Sequence, residues 1–424
     1  MKVLVLNYMN AALATMVRSF ELARATSALG HDVVLSYMHP RFRPPASFGA
    51  ILAAAGTERL AIRRPGGTAD MAGAPRPAPV PAPPRDPGTV TEARPTALGL
   101  ARQAAASLRW VPDERALLRE VRPDVVVARP DQVLSFVVST RLAGVPLVLD
   151  TDGPVEELDH YWGIRSAWFR GLDTWRARRA AALLHISRVC GDLWRAKGIA
   201  EDRLFLCPNG ADPLVFRPGT PEERQRTRRA LGVDGCRVVG FSGNQRTWHG
   251  VGDLLRATIP LSRDDARLRL LVVGAIEDRA ALRLDDLPAG DVARRVVFTG
   301  PVPYADMPRF LDAADVLAMP YPPLDLFHFS PMKMFEALAM GKVIVAPRQG
   351  QIGDVLGPVA SACLYDERRA GGLGEALRLA LARPPGSGLD GRALLERSHS
   401  WARRAEVVVA ACGRALRAGA GTHS

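Results

Sequence analysis

Residues 327–347 read FHFSPMKMFEALAMGKVIVAP, which predicts a helix followed directly by a strand. The apolar residues from Met332 to Met340 recur at helical spacing, and Gly341 is a typical helix end. The run Val343–Ala346 then has the length and composition of a strand buried on both faces. A helix that leads straight into such a strand is typical of a parallel α/β sheet.

The same unit recurs along the chain, and it predicts an α/β protein with two doubly wound parallel-sheet domains. In the first half the predicted strands are Lys2–Leu6, Asp32–Tyr37, Asp124–Ala128, Pro146–Leu149 and Leu183–Ser187. In the second half they are Leu204–Cys207, Arg237–Phe241, Leu270–Val273, Arg295–Phe298, Asp315–Met319, Val343–Ala346 and Cys363–Tyr365.

The length of 424 residues exceeds what one core normally supports, so two domains are expected. The Pro/Gly-rich connector CPNGADPLVFRPG separates a first domain at 1–205 from a second at 206–395, and leaves a C-terminal segment at 396–424. A proline-rich stretch, residues 64–95, cannot build a core and predicts a loop inserted in the first domain.

The composition limits which classes of binding partner and which cellular compartment are expected. The net charge of +12 fits an anionic partner: nucleic acid, an anionic membrane face or a phosphorylated substrate; a merely solvated basic surface is the alternative. No run of Lys and Arg marks a nucleic-acid tail. The five cysteines form no C-x-x-C pair, which argues against disulfides and structural zinc and favours the cytoplasm. The sequence has no uninterrupted apolar stretch of about 18 residues, so no membrane span is expected.

Lys333 is the candidate centre of the chemistry. Ser330 and Pro331 predict the helix start, with a hydroxyl N-cap and proline at the first helical position. Lys333 then stands in the first turn, where the helix dipole disfavours a cation. A phosphate bound at this helix end removes the conflict, and Glu336, one turn on, is placed to accept hydrogen bonds from sugar hydroxyls. The alternative is a surface Lys333–Glu336 pair.

A second candidate segment, FSGNQRTWHGVGDLLRA (residues 241–257), follows the first predicted strand of the second domain. Ligands bind at the carboxyl ends of strands in open α/β sheets. Gly243 and Gly250 allow a tight turn there, and Arg246 and His249 are polar groups at that edge. The alternatives are a solvated arginine and a histidine packed beside Trp248.

Three weaker signals complete the candidates. Asn209 and Gly210 form a turn dipeptide that lies beside the same crevice, where its backbone can contact a ligand. Asp150 and Asp152 form an Asp-x-Asp pattern, which holds a metal in another fold class. The preferred interpretation is that Asp152, Glu156 and Glu157 face the cleft or cap a helix. A Trp- and Arg-rich segment around residues 162–179 favours a partly buried interdomain helix over a membrane-surface helix.

With these residues assembled, the chain resembles the family 4 (group 1) glycosyltransferases of the GT-B fold over nearly its whole length. Four segments carry the resemblance in the expected order: FELARATSALGHDVVL, LLHISRVCGDLWRAKGIAEDRLFLCPNGADPLVFRP, FSGNQRTWHGVGDLLRA and SPMKMFEALAMGKVIVAP. The family's usual pair of glutamates would begin at residue 328, where this chain has His328. Its phosphate-loop Arg and Lys fall on Asn244 and His249, which leaves Arg246 as the loop's fixed charge.

The resemblance implies two Rossmann-like domains facing each other across a cleft, with the donor bound mainly to the second. Arg246 and Lys333 would stabilise the departing diphosphate as the catalytic groups, and Glu336 would hold the ribose hydroxyls. Gly243, Asn244, His249, His328, Ser330, Asn209 and Gly210 would line the donor site, with Asp152 and Glu156 on the acceptor side. The segment carrying Trp401 would return to the first domain.

The predicted function is transfer of a hexose-type sugar from a UDP- or GDP-sugar to a glycan, a lipid-linked glycan or a cell-envelope intermediate, with retention and without a metal or other cofactor. A small-molecule acceptor is one alternative, and a catalytically inactive nucleotide-sugar-binding or scaffold paralogue is another. The expected partners are the donor, the acceptor and a membrane surface at the inner face, and not nucleic acid.

Overall fold

The computed structural model describes residues 1–8, 13–38, 60–64, 67–68, 96–130, 133–151, 153–164, 167–244, 246–276, 282 and 286–420. Two sheets, each in its own domain, organise these residues. The first has the strand order β4-β3-β2-β1-β5-β6-β7-β8, and the second has the order β11-β10-β9-β12-β13-β14.

The first sheet contains β1 (Lys2–Asn7), β2 (Asp32–Tyr37), β3 (Leu60–Arg64), β4 (Gly67–Thr68), β5 (Val125–Arg129), β6 (Leu147–Thr151), β7 (Ala182–His185) and β8 (Leu204–Leu206). Its helices are α1 (Leu13–Ala28), α2 (Ala97–Ser107), α3 (Val111–Val121), α4 (Ser135–Ala143), α5 (Glu157–Trp162), α6 (Ala167–Arg179) and α7 (Arg188–Ala196). Every pairing is parallel except that of β3 with β4. The central strands β5 and β6 are buried along their whole length, because helices cover both faces.

The second sheet contains β9 (Arg237–Ser242), β10 (Leu268–Val273), β11 (Val296–Phe298), β12 (Val316–Ala318), β13 (Val343–Pro347) and β14 (Cys363–Tyr365), all parallel. The helices that follow the first domain are α8 (Pro221–Ala230), α9 (Val251–Asp264), α10 (Ala289–Arg295), α11 (Met307–Ala313), α12 (Met332–Ala339), α13 (Gly350–Leu356), α14 (Gly372–Leu381), α15 (Leu389–Leu394) and α16 (Trp401–Ala420). Strand order reverses between β9 and β12, so the crevice at their carboxyl ends is the expected ligand position of this sheet.

The chain crosses between the domains twice, at adjacent places. The outgoing segment after β8 and the returning segment before α16 meet in a parallel bridge between Ala211 and Ser400. Gly210 permits this approach, since a Cβ there would lie 2.6 Å from the carbonyl oxygen of His399. Beyond the bridge, α16 packs against α1 and β7 of the first domain, and Trp401 is buried.

The two-sheet α/β prediction is confirmed, and the helix and strand read from residues 327–347 are observed as α12 and β13. The predicted strand Leu204–Cys207 was grouped with the second half, which is wrong: as β8 it pairs with β7 at the edge of the first sheet. The strands β3 and β4 were not predicted. Of the proline-rich segment 64–95, the structure describes Arg64 and 67–68, and the rest lies outside the described residues.

Candidate active site

Lys333 lies in the first turn of α12, and its ammonium is directed back toward the end of β9. Its Nζ is 4.2 Å from the centre of the Phe241 ring and 5.5 Å from that of Tyr321. The atom is buried and has no hydrogen-bond acceptor among the described residues. A buried ammonium is normally paired, so the alternative of a surface Lys333–Glu336 pair is wrong.

Burial shifts the pKa values of both Lys333 and Glu336. Burial lowers the pKa of Lys333 from 10.5 to about 7, and Glu336 opposes that fall only in part. Burial likewise raises the pKa of Glu336 to about 7, with Lys333 opposing the rise and Glu21 adding to it. The two groups interact, so the proton released near neutral pH belongs to the pair. An anion beside Nζ would restore the full charge of the lysine.

The loop after β9 brings backbone close to the same ammonium. Gly243 has φ of +116°, and a Cβ added there would lie 3.0 Å from Nζ of Lys333. This position therefore needs glycine for its backbone angle, and an added Cβ would also displace the end of the Lys333 side chain. The carboxyl ends of β9 and β12 meet here, so the loop and the start of α12 share the crevice at the reversal of strand order.

His249 and Arg246, the two polar side chains predicted in this loop, make different contacts. The Nδ1 of His249 donates to the carbonyl oxygen of Asn244. Burial lowers the pKa of His249 well below its usual value, and the neighbouring charge of Lys333 lowers it further, so the ring is neutral near pH 7. The guanidinium of Arg246 lies over the ring of Trp248, 5.2 Å from its centre. The loop's fixed positive charge is therefore that of Arg246.

Ser330 has a different role from the predicted one. The N-cap of α12 is Pro331, without a side-chain cap, so the prediction of a hydroxyl cap from Ser330 is wrong. The backbone N–H of Asn209 donates to Oγ of Ser330 at 2.8 Å, and Nδ2 of Asn209 donates to the carbonyl oxygen of Ser330 at 2.6 Å. Arg18 donates to Oδ1 of Asn209 at 3.0 Å. Asn209 thus ties α1 to the start of α12, and donor contacts by Asn209, Gly210 and Ser330 stay a prediction.

His328 is buried at the boundary between the domains, with a relative exposure of 1%. Its Nε2 is 3.2 Å from a carboxylate oxygen of Glu157 in α5. Its carbonyl oxygen accepts a hydrogen bond of 2.7 Å from Ser187 of the first domain. The residue that replaces the family's glutamate therefore contacts the opposite domain, and a contact with the donor stays a prediction.

The acceptor-side candidates are only partly placed. Glu156 pairs with Lys197 at 3.1 Å, and Asp152 lies outside the described residues. Asp150 is buried between Arg18 at 2.7 Å and Arg129 at 2.9 Å. Both of its carboxylate oxygens are held by these guanidinium groups, so Asp150 anchors the core of the first domain.

Sequence reasoning missed two groups of site residues. Tyr321 lines the lysine pocket, and its position just after β12 was a usable signal because strand ends at the order reversal meet in one crevice. The second group is an aromatic cluster that joins the domains: Tyr161 lies 5.4 Å from Trp248 and 5.7 Å from Phe329 between ring centres, and Trp162 lies 5.8 Å from Trp248. Of these residues, only Trp162 lies in a segment that was predicted to contact the other domain, the interdomain helix around residues 162–179.

Two family models match the chain in consecutive regions. The model described as Glycosyltransferase Family 4 matches residues 17–213, and the one described as Glycosyl transferases group 1 matches residues 236–383. The second region contains the lysine pocket and the loop after β9.

Curated relatives match over part of their length. A 2-deoxystreptamine glucosyltransferase from Streptomyces kanamyceticus is 27% identical over 55% of this chain and 60% of its own. A GDP-mannose-dependent monoacylated alpha-(1-6)-phosphatidylinositol monomannoside mannosyltransferase from Corynebacterium glutamicum is 31% identical over 46% of this chain and 52% of its own. The chain therefore matches about half to three fifths of the length of these two relatives.

Solved structures match nearly end to end in fold. Anabaena Alr3699/HepE in complex with UDP has a TM-score of 0.65 at 15% identity, covering 96% of this chain and 98% of its own. WaaG, a glycosyltransferase involved in lipopolysaccharide biosynthesis, has a TM-score of 0.62 at 16% identity with the same coverage. At such low identity these matches show the fold, which is GT-B.

Proposed function

Since the chain belongs to the family 4, group 1 glycosyltransferases of the GT-B fold, we propose that it transfers a hexose-type sugar from a nucleotide-sugar to an acceptor hydroxyl. One observation carries the proposal: the ammonium of Lys333 is buried at the N-terminus of α12 without a hydrogen-bond acceptor among the described residues. The diphosphate of the donor is the partner that this ammonium lacks.

The chemistry follows from charge. Breaking the bond between the sugar and the diphosphate leaves negative charge on the departing nucleoside diphosphate. The ammonium of Lys333 and the guanidinium of Arg246 stabilise that charge, in a crevice where burial strengthens the interaction. No divalent cation is needed for this step, and transfer proceeds with retention, as the family resemblance implies. Glu336 holds the ribose hydroxyls.

The donor is a UDP- or GDP-sugar. Support comes from the name of the C. glutamicum mannosyltransferase, which is GDP-mannose-dependent, and from the UDP held by the Anabaena protein. The acceptor is a lipid-linked glycan or a small molecule, since the named relatives include an inositol-lipid mannosyltransferase and a 2-deoxystreptamine glucosyltransferase.

The setting is the cytoplasm, at the inner face of the membrane when the acceptor is lipid-linked. The five cysteines are all unpaired, which fits a reducing compartment. Within the described residues, none of the helices combines the length and the hydropathy that a membrane span requires. The net charge of +12 favours both the anionic donor and an anionic lipid surface.

Donor hydrolysis tests the proposal. The protein is incubated with a panel of UDP- and GDP-hexoses without acceptor, and release of UDP or GDP is followed. The wild type should release nucleoside diphosphate slowly, and Lys333→Ala should lose most of that release. If the wild type binds UDP or GDP but hydrolyses no donor and glycosylates no acceptor, the chain is a nucleotide-sugar-binding paralogue instead. If it binds neither nucleotide, the proposal is wrong.

A further inference from the structure

The carboxylate of Glu157, the first residue of α5, lies where the facing edges of the two domains meet. A Cβ added to Gly153, in the loop after β6, would lie 2.8 Å from Oε2 of Glu157, so this oxygen rests against backbone at the carboxyl end of a first-domain strand. From the second domain, Nε2 of His328 lies 3.2 Å from the same oxygen. Ligands of open α/β sheets bind outside the carboxyl ends of the strands, so Glu157 lies at a ligand-facing position of the cleft.

Glu157 and His328 differ in their access from the cleft. The side chain of Glu157 is 38% exposed, whereas that of His328 is 2% exposed. Nδ1 of His328 is buried without a hydrogen-bond partner among the described residues. A buried polar atom left unpaired lowers stability, so the imidazole stabilises the interface less than an apolar ring would. Within the described part of the chain, the polar contact that the ring does make is the one with Glu157. A ligand in the cleft can therefore reach the carboxylate, while His328 holds that carboxylate from the buried side.

The Glu157–His328 pair is close to the lysine pocket. The ring of His328 lies 4.3 Å from that of Phe329, and Phe329 lies 6.3 Å from Tyr321 between ring centres. Tyr321 in turn lines the lysine pocket, 5.5 Å from Nζ of Lys333. An ammonium binds phosphate, whereas an ionised carboxylate only accepts hydrogen bonds and so binds hydroxyl groups. The crevice therefore has a cationic part suited to a diphosphate and an anionic part suited to the hydroxyls of a sugar.

We propose that Glu157 binds hydroxyl groups of the sugar that the donor carries, so that the carboxylate missing from position 328 is supplied by the opposite domain. His328 is then a positioning residue, which holds the carboxylate at the second domain. This inference rests on the proposed function, because it takes a nucleotide-sugar as the ligand of the crevice. It assigns recognition of the sugar to a first-domain residue, whereas the diphosphate is bound by the second domain.

The test compares, by isothermal titration calorimetry, the binding of UDP and GDP with that of the UDP- and GDP-hexoses. Glu157→Gln should weaken binding of the preferred nucleotide-sugar about three- to tenfold, because the amide keeps an acceptor but loses the charge that strengthens the hydrogen bond. Binding of the nucleotide alone should not change. His328→Phe should weaken nucleotide-sugar binding in the wild-type background but not in Glu157→Gln, because the residue through which it acts no longer carries a charge.

Returning the carboxylate to position 328 gives a second readout. Glu157→Gln combined with His328→Glu should restore most of the lost affinity for the nucleotide-sugar, which a merely structural role of Glu157 would not produce. Glu201→Gln is the matched control, since Glu201 pairs with Arg195 and its side chain is 69% exposed; it should leave both affinities unchanged.

Melting temperatures show whether each variant is folded, and Glu157→Gln alone decides the outcome if the double variant does not fold. Unchanged nucleotide-sugar binding in Glu157→Gln, or equal weakening of nucleotide and nucleotide-sugar, overturns the assignment of Glu157 and leaves the proposed function intact. A folded double variant that restores nothing also overturns it. A wild type that binds neither UDP nor GDP overturns both.

Discussion

Replacing Lys333 by methionine should stabilise the ligand-free protein and weaken its nucleotide binding at the same time. Methionine fills similar space beside Phe241 and Tyr321 and needs no hydrogen-bond acceptor. A fall in pKa from 10.5 to about 7 corresponds to about 5 kcal/mol of lost interaction for the charged form, which is an upper limit. A buried unsatisfied donor costs about 1–3 kcal/mol, so the melting temperature should rise by about 2–4 °C for each kcal/mol recovered.

The same substitution, Lys333→Met, should weaken nucleotide binding. A charge-assisted hydrogen bond to a phosphate is worth about 1.5–3 kcal/mol, so Lys333→Met should weaken UDP or GDP binding by about 10- to 150-fold. Differential scanning calorimetry measures the first effect, and isothermal titration calorimetry at pH 7 measures the second. Few substitutions of a lysine raise stability while lowering affinity, so the combination is diagnostic.

Lys342 provides the matched control. It is also a buried lysine, but its Nζ donates to Oδ1 of Asp312 and to the carbonyl oxygens of Asp312 and Ala314 at 2.9–3.0 Å. Arg224 still donates to both carbonyl oxygens in Lys342→Met, but the buried carboxylate of Asp312 loses its ion-pair partner. The substitution should therefore lower stability by about 3–5 kcal/mol without changing nucleotide affinity. If Lys333→Met destabilises the protein as Lys342→Met does, or binds nucleotide like the wild type, the reasoning about a buried ammonium without a hydrogen-bond acceptor is wrong.

Three further predictions concern the pH dependence set by Lys333, the backbone at Gly243 and the ion pairs of Asp150. Because the pKa of Lys333 is about 7 without nucleotide, the Kd for UDP or GDP should rise by up to about tenfold per pH unit between pH 7 and 9, and Lys333→Met should remove this slope. Over the same range the ligand-free protein should gain stability, because the unfolded lysine keeps its proton to about pH 10. Gly243→Ala, forced into φ of +116° and against Nζ, should weaken nucleotide binding about tenfold by the same titration; Gly374→Ala, with nothing within 4 Å, should not. Asp150→Asn removes the carboxylate charge that pairs with the buried Arg18 and Arg129 and should cost about 3–5 kcal/mol of stability in urea unfolding; an unchanged urea midpoint would contradict the anchoring role of Asp150.

Local signals explain what could be predicted. The helical spacing from Met332 to Met340 and the glycine after it are properties of neighbouring residues, and α12 was found where they placed it. Lys333 stood out for the same reason, since a cation in the first turn of a helix conflicts with the local field whatever the rest of the chain does.

The errors came from partners distant in sequence. Ser330 has every local property of an N-cap, but its hydroxyl oxygen accepts a hydrogen bond from the backbone N–H of Asn209, 121 residues away. The residues of the strand Leu204–Leu206 do not indicate which sheet it joins. Its place is set by parallel pairing with β7, which is distant from any local signal in its own sequence. The contact between Tyr161 and Trp248 joins two domains, and no periodicity within either segment records it.

The adjacent crossings at Ala211 and Ser400 also constrain how the chain folds during synthesis. The second domain lies as one continuous segment between the last strand and the last helix of the first, so it can fold as soon as it has emerged from the ribosome. The packing of the first domain is completed last, since α16 covers α1 and β7 and is made after the whole second domain. A ribosome-bound chain stalled before Trp401 should therefore hold a native second domain beside a first domain whose core is still open to protease, and this order reverses the usual priority of N-terminal domains.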